Sequence, residues 1–152
     1  MTLEHLFIST QHNFVGHHGR EPGMEPMQER EVLECVEGRG VRGDRYFDHK
    51  ENYKGQITFF EMEVYEDLMA RLGITDREPS VFRRNVLTRG VDLNSLIDEV
   101  FTVQGVSFFG TEECKPCYWM DTAFSKGALG ALRGHGGLRA RILSDGVLRK
   151  GA

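Results

Sequence analysis

Residues 100–113, VFTVQGVSFFGTEE, read as two strands around Gly105. Val, Phe and Thr crowd both halves, and these are the residue types that suit a pleated, half-buried surface. The same pattern of short β-prone runs extends outward through the chain. LEHLFIS (3–9) reads as a first strand. REVLECVEG (30–38) alternates, with Val32, Glu34 and Val36 on one face and Leu33 and Cys35 on the other. QITFF (56–60) and SVFRRNVLT (80–88) are two further β runs, and LRARILSDGVLRKG (138–151) carries an Asp-Gly turn between alternating segments, which predicts a hairpin. Eighteen glycines in 152 residues punctuate these segments.

Between the β runs lie two polar excursions, GHHGREPGMEPMQE (16–29) and the glycine-hinged segment from Gly38 to Gly55. EMEVYEDLMARLG (61–73) is the one clear helical pattern. It spaces Val64, Tyr65, Leu68, Met69 and Leu72 on one face, and Gly73 suits a left-handed cap. A weaker, glycine-diluted helix falls at SKGALGALR (125–133). Short strands with one or two short helices predict a mostly β fold, a closed or nearly closed β-barrel formed by a single domain. The regular strand–helix alternation of a parallel α/β sheet is missing.

Composition narrows the function classes. Hydrophobic residues make up 39% and charged residues 28%, values of an ordinary globular chain. No run approaches the roughly 18 apolar residues of a membrane span, and the start MTLEHLFISTQHNF lacks the basic region of a signal peptide. Three cysteines, one far from the other two, suit a reducing compartment, so the expected location is the cytoplasm. Residues 1–76 hold 8 Lys and Arg against 15 Asp and Glu, while residues 77–152 hold 11 against 8. No basic stripe with interleaved aromatics appears, which argues against nucleic-acid binding. The basic second half suits a small anion. Nothing in the sequence sets the oligomeric state.

The β run ends in GTEECKPCYWMD (110–121), which places Cys114 and Cys117 in a C-x-x-C spacing. A redox dithiol needs a strand-to-helix setting that YWMDTAF does not offer, and Glu112 and Glu113 oppose thiolate formation. A zinc site needs two more ligands, and Cys35, His17, His18 and His135 stand at none of the usual spacings. Two small buried thiols after a strand also account for the pair. The remaining alternative is one reactive thiolate beside anion-binding groups. On a strand over 80–88, Arg83 and Asn85 share a face with donors for phosphate or a pterin edge.

GVRGDRY (40–46), VFRRNVLTRGVDL (81–93), ECKPCYWM (113–120) and GHGGLRARILSDGVLRKG (134–151) resemble, in that order, the MOSC domain, named after the C-terminal part of molybdenum cofactor sulfurase. The resemblance runs from about residue 3 to the C-terminus. It implies a barrel-like β fold and a role in molybdenum cofactor or sulfur chemistry, either binding the molybdopterin form or carrying sulfur as a cysteine persulfide. By position, Cys117 matches the family's molybdenum-ligating cysteine, and Arg83 with Asn85 matches a cofactor-contacting pair. Gly43, Asp44 and Arg45 match its Gly-Asp element. Cys114 is not general in the family, and this chain carries no pyridoxal-phosphate domain. The resemblance therefore implies a partner, a cysteine desulfurase or a molybdoenzyme, and either sulfurtransferase-type or molybdenum-dependent reductase activity. Cys117 becomes the expected working thiolate, with Lys115 and Arg83 supplying positive charge and Pro116 stiffening the approach. The alternative from a different class is a small zinc-binding or structural interaction domain built on Cys114 and Cys117.

Overall fold

The computed structural model describes residues 1–10, 27–115 and 127–151. Within them lie ten strands: β1 (Thr2–Ile8), β2 (Gln28–Glu29), β3 (Val32–Val36), β4 (Gly40–Val41), β5 (Ile57–Glu61), β6 (Val86–Arg89), β7 (Val100–Val103), β8 (Val106–Glu113), β9 (Leu138–Ile142) and β10 (Gly146–Arg149). Two α-helices join them, α1 (Met62–Leu72) and α2 (Ala128–Leu132). The mostly β reading with two helices is correct.

Seven strands form one mixed sheet in the order β2-β1-β6-β5-β9-β8-β7, and three form a second in the order β10-β3-β4. Period-two alternation divides the large sheet's residues between two cores. Leu6, Ile57, Phe59, Val86 and Ile142 pack with Leu33, Cys35, Val41 and Leu148 of the small sheet. Their neighbours Phe7, Phe60 and Leu87 pack instead with Met62 and Leu68 of α1 and Ala128 and Leu132 of α2. The large sheet is thus covered by the small sheet on one face and by the helices on the other. Phe59, fully buried, is met edge-on by Phe101 and Phe108 at 5.7 and 5.5 Å between ring centroids.

The β7–β8 hairpin follows from its turn. Gln104 and Gly105 both take positive φ, 50° and 83°, the backbone of the two-residue turn whose twist matches the strands it joins. Helix α1 ends as the pattern predicts, with Gly73 at φ 64° and Ile74 N–H closing on Met69 O at 2.9 Å. No helix among the described residues is long and apolar enough to cross a membrane.

Three expectations need correction. The sheets are not closed into a barrel. They meet at corners, through the isolated Leu3–Gly151 bridge and the Gly38 N–H to Ile142 O bond of 3.0 Å, and not through one continuous ladder. Residues 138–151 do not form a hairpin: β9 pairs with β5 and β8, while β10 pairs with β3. Neither Asp145 nor Gly146 has positive φ, so the tight turn is not made, and Asp145 Oδ1 instead accepts the Glu37 N–H at 2.7 Å as the chain changes sheets. Finally, 80–88 is not one strand. Pro79 opens a 3₁₀ turn through Phe82, Arg83 closes it at φ 58°, and β6 begins only at Val86. Arg83 and Asn85 therefore do not share a strand face.

Candidate functional site

Strand β8 delivers the cysteine motif. Its last residue, Glu113, pairs with Leu138 of β9, and Cys114 N–H donates to Gly137 O at 2.8 Å. Arg84 holds the same corner by donating to Gly136 O from Nε at 3.1 Å and Nη2 at 2.9 Å, to Phe82 O, and to Cys114 O at 3.4 Å. Gly137 permits the approach: its φ is 102°, and a Cβ there would stand 2.3 Å from Phe59 O. The entry to the motif is consequently fixed in place.

Arg139 lies on β9 two residues beyond Gly137, whose carbonyl accepts the Cys114 N–H. Its register partner is Glu112, whose Oε1 accepts from Arg139 Nη1 at 3.3 Å and pairs with Lys54 Nζ at 2.8 Å. Burial works against the Arg139 charge. Nevertheless its pKa stands above the ordinary guanidinium value, because the nearby Cys114, Tyr53 and Glu112 side chains favour its charge. The Lys54 bond holds the Glu112 carboxyl below its usual range, against the effect of burial, and Arg139 and Lys115 add to it. This interaction places the exposed Lys115 at the same corner.

Tyr53 completes the group. Gly55 has no side chain to intervene, and a Cβ there would stand 3.2 Å from the Tyr53 ring and 3.4 Å from Arg139 Cδ. Burial raises the Tyr53 pKa, Tyr46 and Cys114 add to the rise, and Arg139 and Arg45 oppose it. The Tyr53 ring stacks on Tyr46 at 5.5 Å, and Arg45 Cζ stands 4.8 Å from the Tyr46 centroid. A continuous path thus links Cys114, Arg139, Tyr53, Tyr46 and Arg45.

Asp44 anchors the far end of this path. Its side chain is fully buried, and its carboxylate accepts the Ser9 N–H at 3.0 Å and the Tyr46 N–H at 3.2 Å. Arg45 Nη1 pairs with it at 3.6 Å, while Arg45 Nη2 donates to Arg83 O at 3.0 Å. Arg83 Nη2 in turn donates to Ser9 Oγ at 3.1 Å. Asn85 lies beneath. Its Oδ1 accepts from Thr58 N at 3.0 Å and Thr58 Oγ1 at 3.2 Å, and its Nδ2 donates to Phe7 O at 3.2 Å. Its amide holds β1, β5 and β6 together.

The structure brings Asp44, Arg45 and Arg83 into one bonded group with Ser9, and Lys115, exposed, follows Cys114 after β8. Cys117 lies outside the described residues. Among those described, no group of three or more His, Cys, Asp or Glu can hold a metal ion. Sequence reasoning missed Arg84, Arg139 and Tyr53. The signal for Arg139 was its place in LRARI, a charged position between Leu138 and Ala140, both of which are buried.

The sequence matches the model of the MOSC domain over residues 17–152. The chain belongs to the MOSC domain family. That family is associated with molybdenum cofactor binding and sulfuration. Among solved structures, the YuaD protein of Bacillus subtilis superposes with a TM-score of 0.74 at 19% identity, over 99% of this chain and 91% of that one. YiiM of Geobacillus stearothermophilus gives 0.71 at 12% identity, over 99% and 72% of the two chains. YiiM of Escherichia coli gives 0.64 at 13%, over 100% and 70%. At these identities the likeness is one of fold. No protein of curated function matches the sequence significantly.

Proposed function

We propose that this MOSC domain acts in molybdenum cofactor sulfur chemistry through its 114–117 motif, with Cys117 as the thiolate that carries persulfide sulfur or ligates molybdenum. One observation supports the reading: Cys114 leaves β8 at a corner fixed by Arg84 and Gly137, with the cations of Arg139 and Lys115 beside Glu112 there.

The donor chemistry fits the cofactor. A pterin phosphate is met by guanidinium and ammonium groups, and molybdenum takes soft thiolate. Arg83 and Lys115 would hold the anionic edge, with Arg45 behind them on the buried Asp44, and Cys117 would be the metal ligand; when bound, the cofactor supplies a thiophilic metal centre. Arg84 is excluded from that role because backbone carbonyls engage its guanidinium. Asp44 fixes the Arg45 backbone and charge in position, and Asn85 holds the sheet junction from which Arg83 and Arg84 depart.

In the sulfur-carrying version the donor is a cysteine persulfide on a partner desulfurase, in the cytoplasm. The Cys117 thiolate attacks the terminal sulfur of that persulfide, the donor's S–S bond breaks, and the partner's cysteine leaves as thiolate with the electron pair. The local cations offset the charge that moves. Incubating the purified protein with a cysteine desulfurase and free cysteine should add one sulfur by intact mass, and Cys117→Ser should abolish the addition. Unchanged sulfur uptake by the serine variant would refute the assignment. Molybdenum and pterin analysis of protein from a cofactor-producing host tests the ligand version with the same variant.

A further inference from the structure

On the face of the large sheet that the helices cover, α1 and α2 enclose a cavity of about 420 Å³, within the roughly 300–1,000 Å³ of small-molecule sites. Its floor is apolar, with Val64 and Leu68 from α1 and Leu132 from α2. Its two walls differ in charge. Along α1, Glu63, Asp67 and Arg71 stand four residues apart and so form one row. Glu63 Oε2 accepts the Gly90 N–H at 2.8 Å, and Asp67 pairs with Arg71 at 3.0 Å. The Arg71 and Asp67 side chains are 63% and 62% exposed, a setting in which an ion pair is readily exchanged. Arg133 and His135, just after α2, supply the other wall. Neither of their side chains makes a hydrogen bond or ion pair with the described residues.

A glycine points to the same cavity. Gly130 lies inside α2 and lines the space, although alanine is the better helix former. Its φ is not positive, so no left-handed turn requires it. Among the described residues, no atom beyond its own helix backbone and chain neighbours comes within 4 Å of where a Cβ would stand. Packing within the fold therefore does not require glycine either. A bare backbone at a cavity wall serves a ligand that approaches closely.

We propose that this cavity binds an α-amino acid with an apolar side chain: the side chain on Val64, Leu68 and Leu132, the ammonium on the Glu63 and Asp67 carboxylates, and the carboxylate on Arg133 and His135. The charges select the ligand. A simple anion would meet the carboxylates of α1, and a simple amine would leave Arg133 unmatched, whereas a zwitterion satisfies both walls. The apolar floor favours an amino acid with a sizeable aliphatic, thioether or aromatic side chain. Gly130 leaves room for the ligand's main-chain atoms against the helix. This site does not depend on the cysteine chemistry proposed above.

The test is calorimetric titration of the purified, dialysed chain with L-leucine, L-methionine and L-phenylalanine. At least one should saturate with a dissociation constant of about 1 mM or tighter. Glycine, and the deaminated acid and decarboxylated amine of the amino acid that binds, should each bind at least about tenfold more weakly. Gly130→Leu fills the cavity from an uncrowded position and should abolish binding with an unchanged circular dichroism spectrum. Arg133→Gln, at an exposed residue, should weaken binding by about tenfold. Gly130→Ala should raise the Tm of the ligand-free protein, since nothing in the fold calls for glycine there. The inference is overturned if none of the three amino acids saturates by about 10 mM, or if the amine without a carboxylate binds as tightly as its parent. Binding that survives Gly130→Leu, or a lowered Tm in Gly130→Ala, overturns it as well.

Discussion

Replacing Asn85 by alanine separates a structural amide from a ligand contact. Asn85 is 2% exposed, and its side chain bonds Thr58 N, Thr58 Oγ1 and Phe7 O. Truncation removes the Oδ1 partner of the Thr58 N–H and the Nδ2 partner of the Phe7 carbonyl, both inside the sheet junction. The Thr58 hydroxyl keeps one bond, to the Asn85 backbone N–H at 3.0 Å. Each buried polar group left without a partner costs about 1–3 kcal/mol, so the variant, with two, should lose about 2–6 kcal/mol. For a chain of this size that loss lowers Tm by roughly 4–24 °C. The assay is urea unfolding followed by far-UV circular dichroism on cofactor-free protein, checked by a thermal melt. A loss below about 0.5 kcal/mol, within the range of ordinary surface substitutions, would refute the clamp and return Asn85 to the set of candidate ligand contacts.

Asp44→Ala should be costly for a related reason. It strips a fully buried carboxylate from the Ser9 and Tyr46 N–H groups and leaves the Arg45 charge, 8% exposed, without its partner. Breaking such a pair costs about 3–5 kcal/mol in urea unfolding, and a loss under 1 kcal/mol would contradict the anchor. Gly137→Ala should abolish folding or leave an aggregating protein, because its Cβ meets a backbone carbonyl at 2.3 Å and its φ is 102°; a soluble variant with native circular dichroism would contradict this. Cys35 sets an alkaline limit. Its unfolded thiol titrates near 9 and its folded one near 12, so the neutral form is favoured by folding. That stability is whole below pH 9 and falls by up to about 4 kcal/mol as pH rises toward 12, a slope that Cys35→Ala should lack in pH-dependent urea titrations.

Local chemistry made some elements legible and left others hidden. The β7–β8 hairpin was readable because Gln104 and Gly105 themselves adopt the turn. Helix α1 was readable because Leu68 and its neighbours recur at helical spacing and Gly73 closes the end. Strand β3 was readable from its alternation, with Leu33 and Cys35 buried and Val32 and Glu34 exposed. Asp145-Gly146 offered the same local signal as a hairpin turn, but pairing of β10 with β3 overrode it. In 80–88 the β-prone residues concealed a break, because Phe82 leaves the strand path to stack on Phe60 at 4.4 Å and Arg83 turns the chain. Asn85 could not be told from a surface donor without knowing that three strands converge on it.

The candidate site divides along the same line. Asp44, Arg45, Arg83 and Lys115 were marked by sequence; the first three are bonded to one another around Ser9, and Lys115 follows Cys114 at the surface. Arg139 was not, since its importance comes from a cross-strand partner, Glu112, and from a sulfur 25 residues earlier in the chain. Arg84 drew no role from the sequence. Its actual work is to bind the carbonyls of Phe82, Cys114 and Gly136, a role set by tertiary structure.

The central claim is that the two sulfurs of CKPC are unequal and that Cys117 is the one that works. Peptide-resolved mass spectrometry after desulfurase loading tests it most directly, comparing Cys114→Ser with Cys117→Ser. The account predicts added sulfur on the peptide of the Cys114→Ser protein and none on that of the Cys117→Ser protein. Equal loading of the two variants, or loading of Cys114 alone, would contradict it.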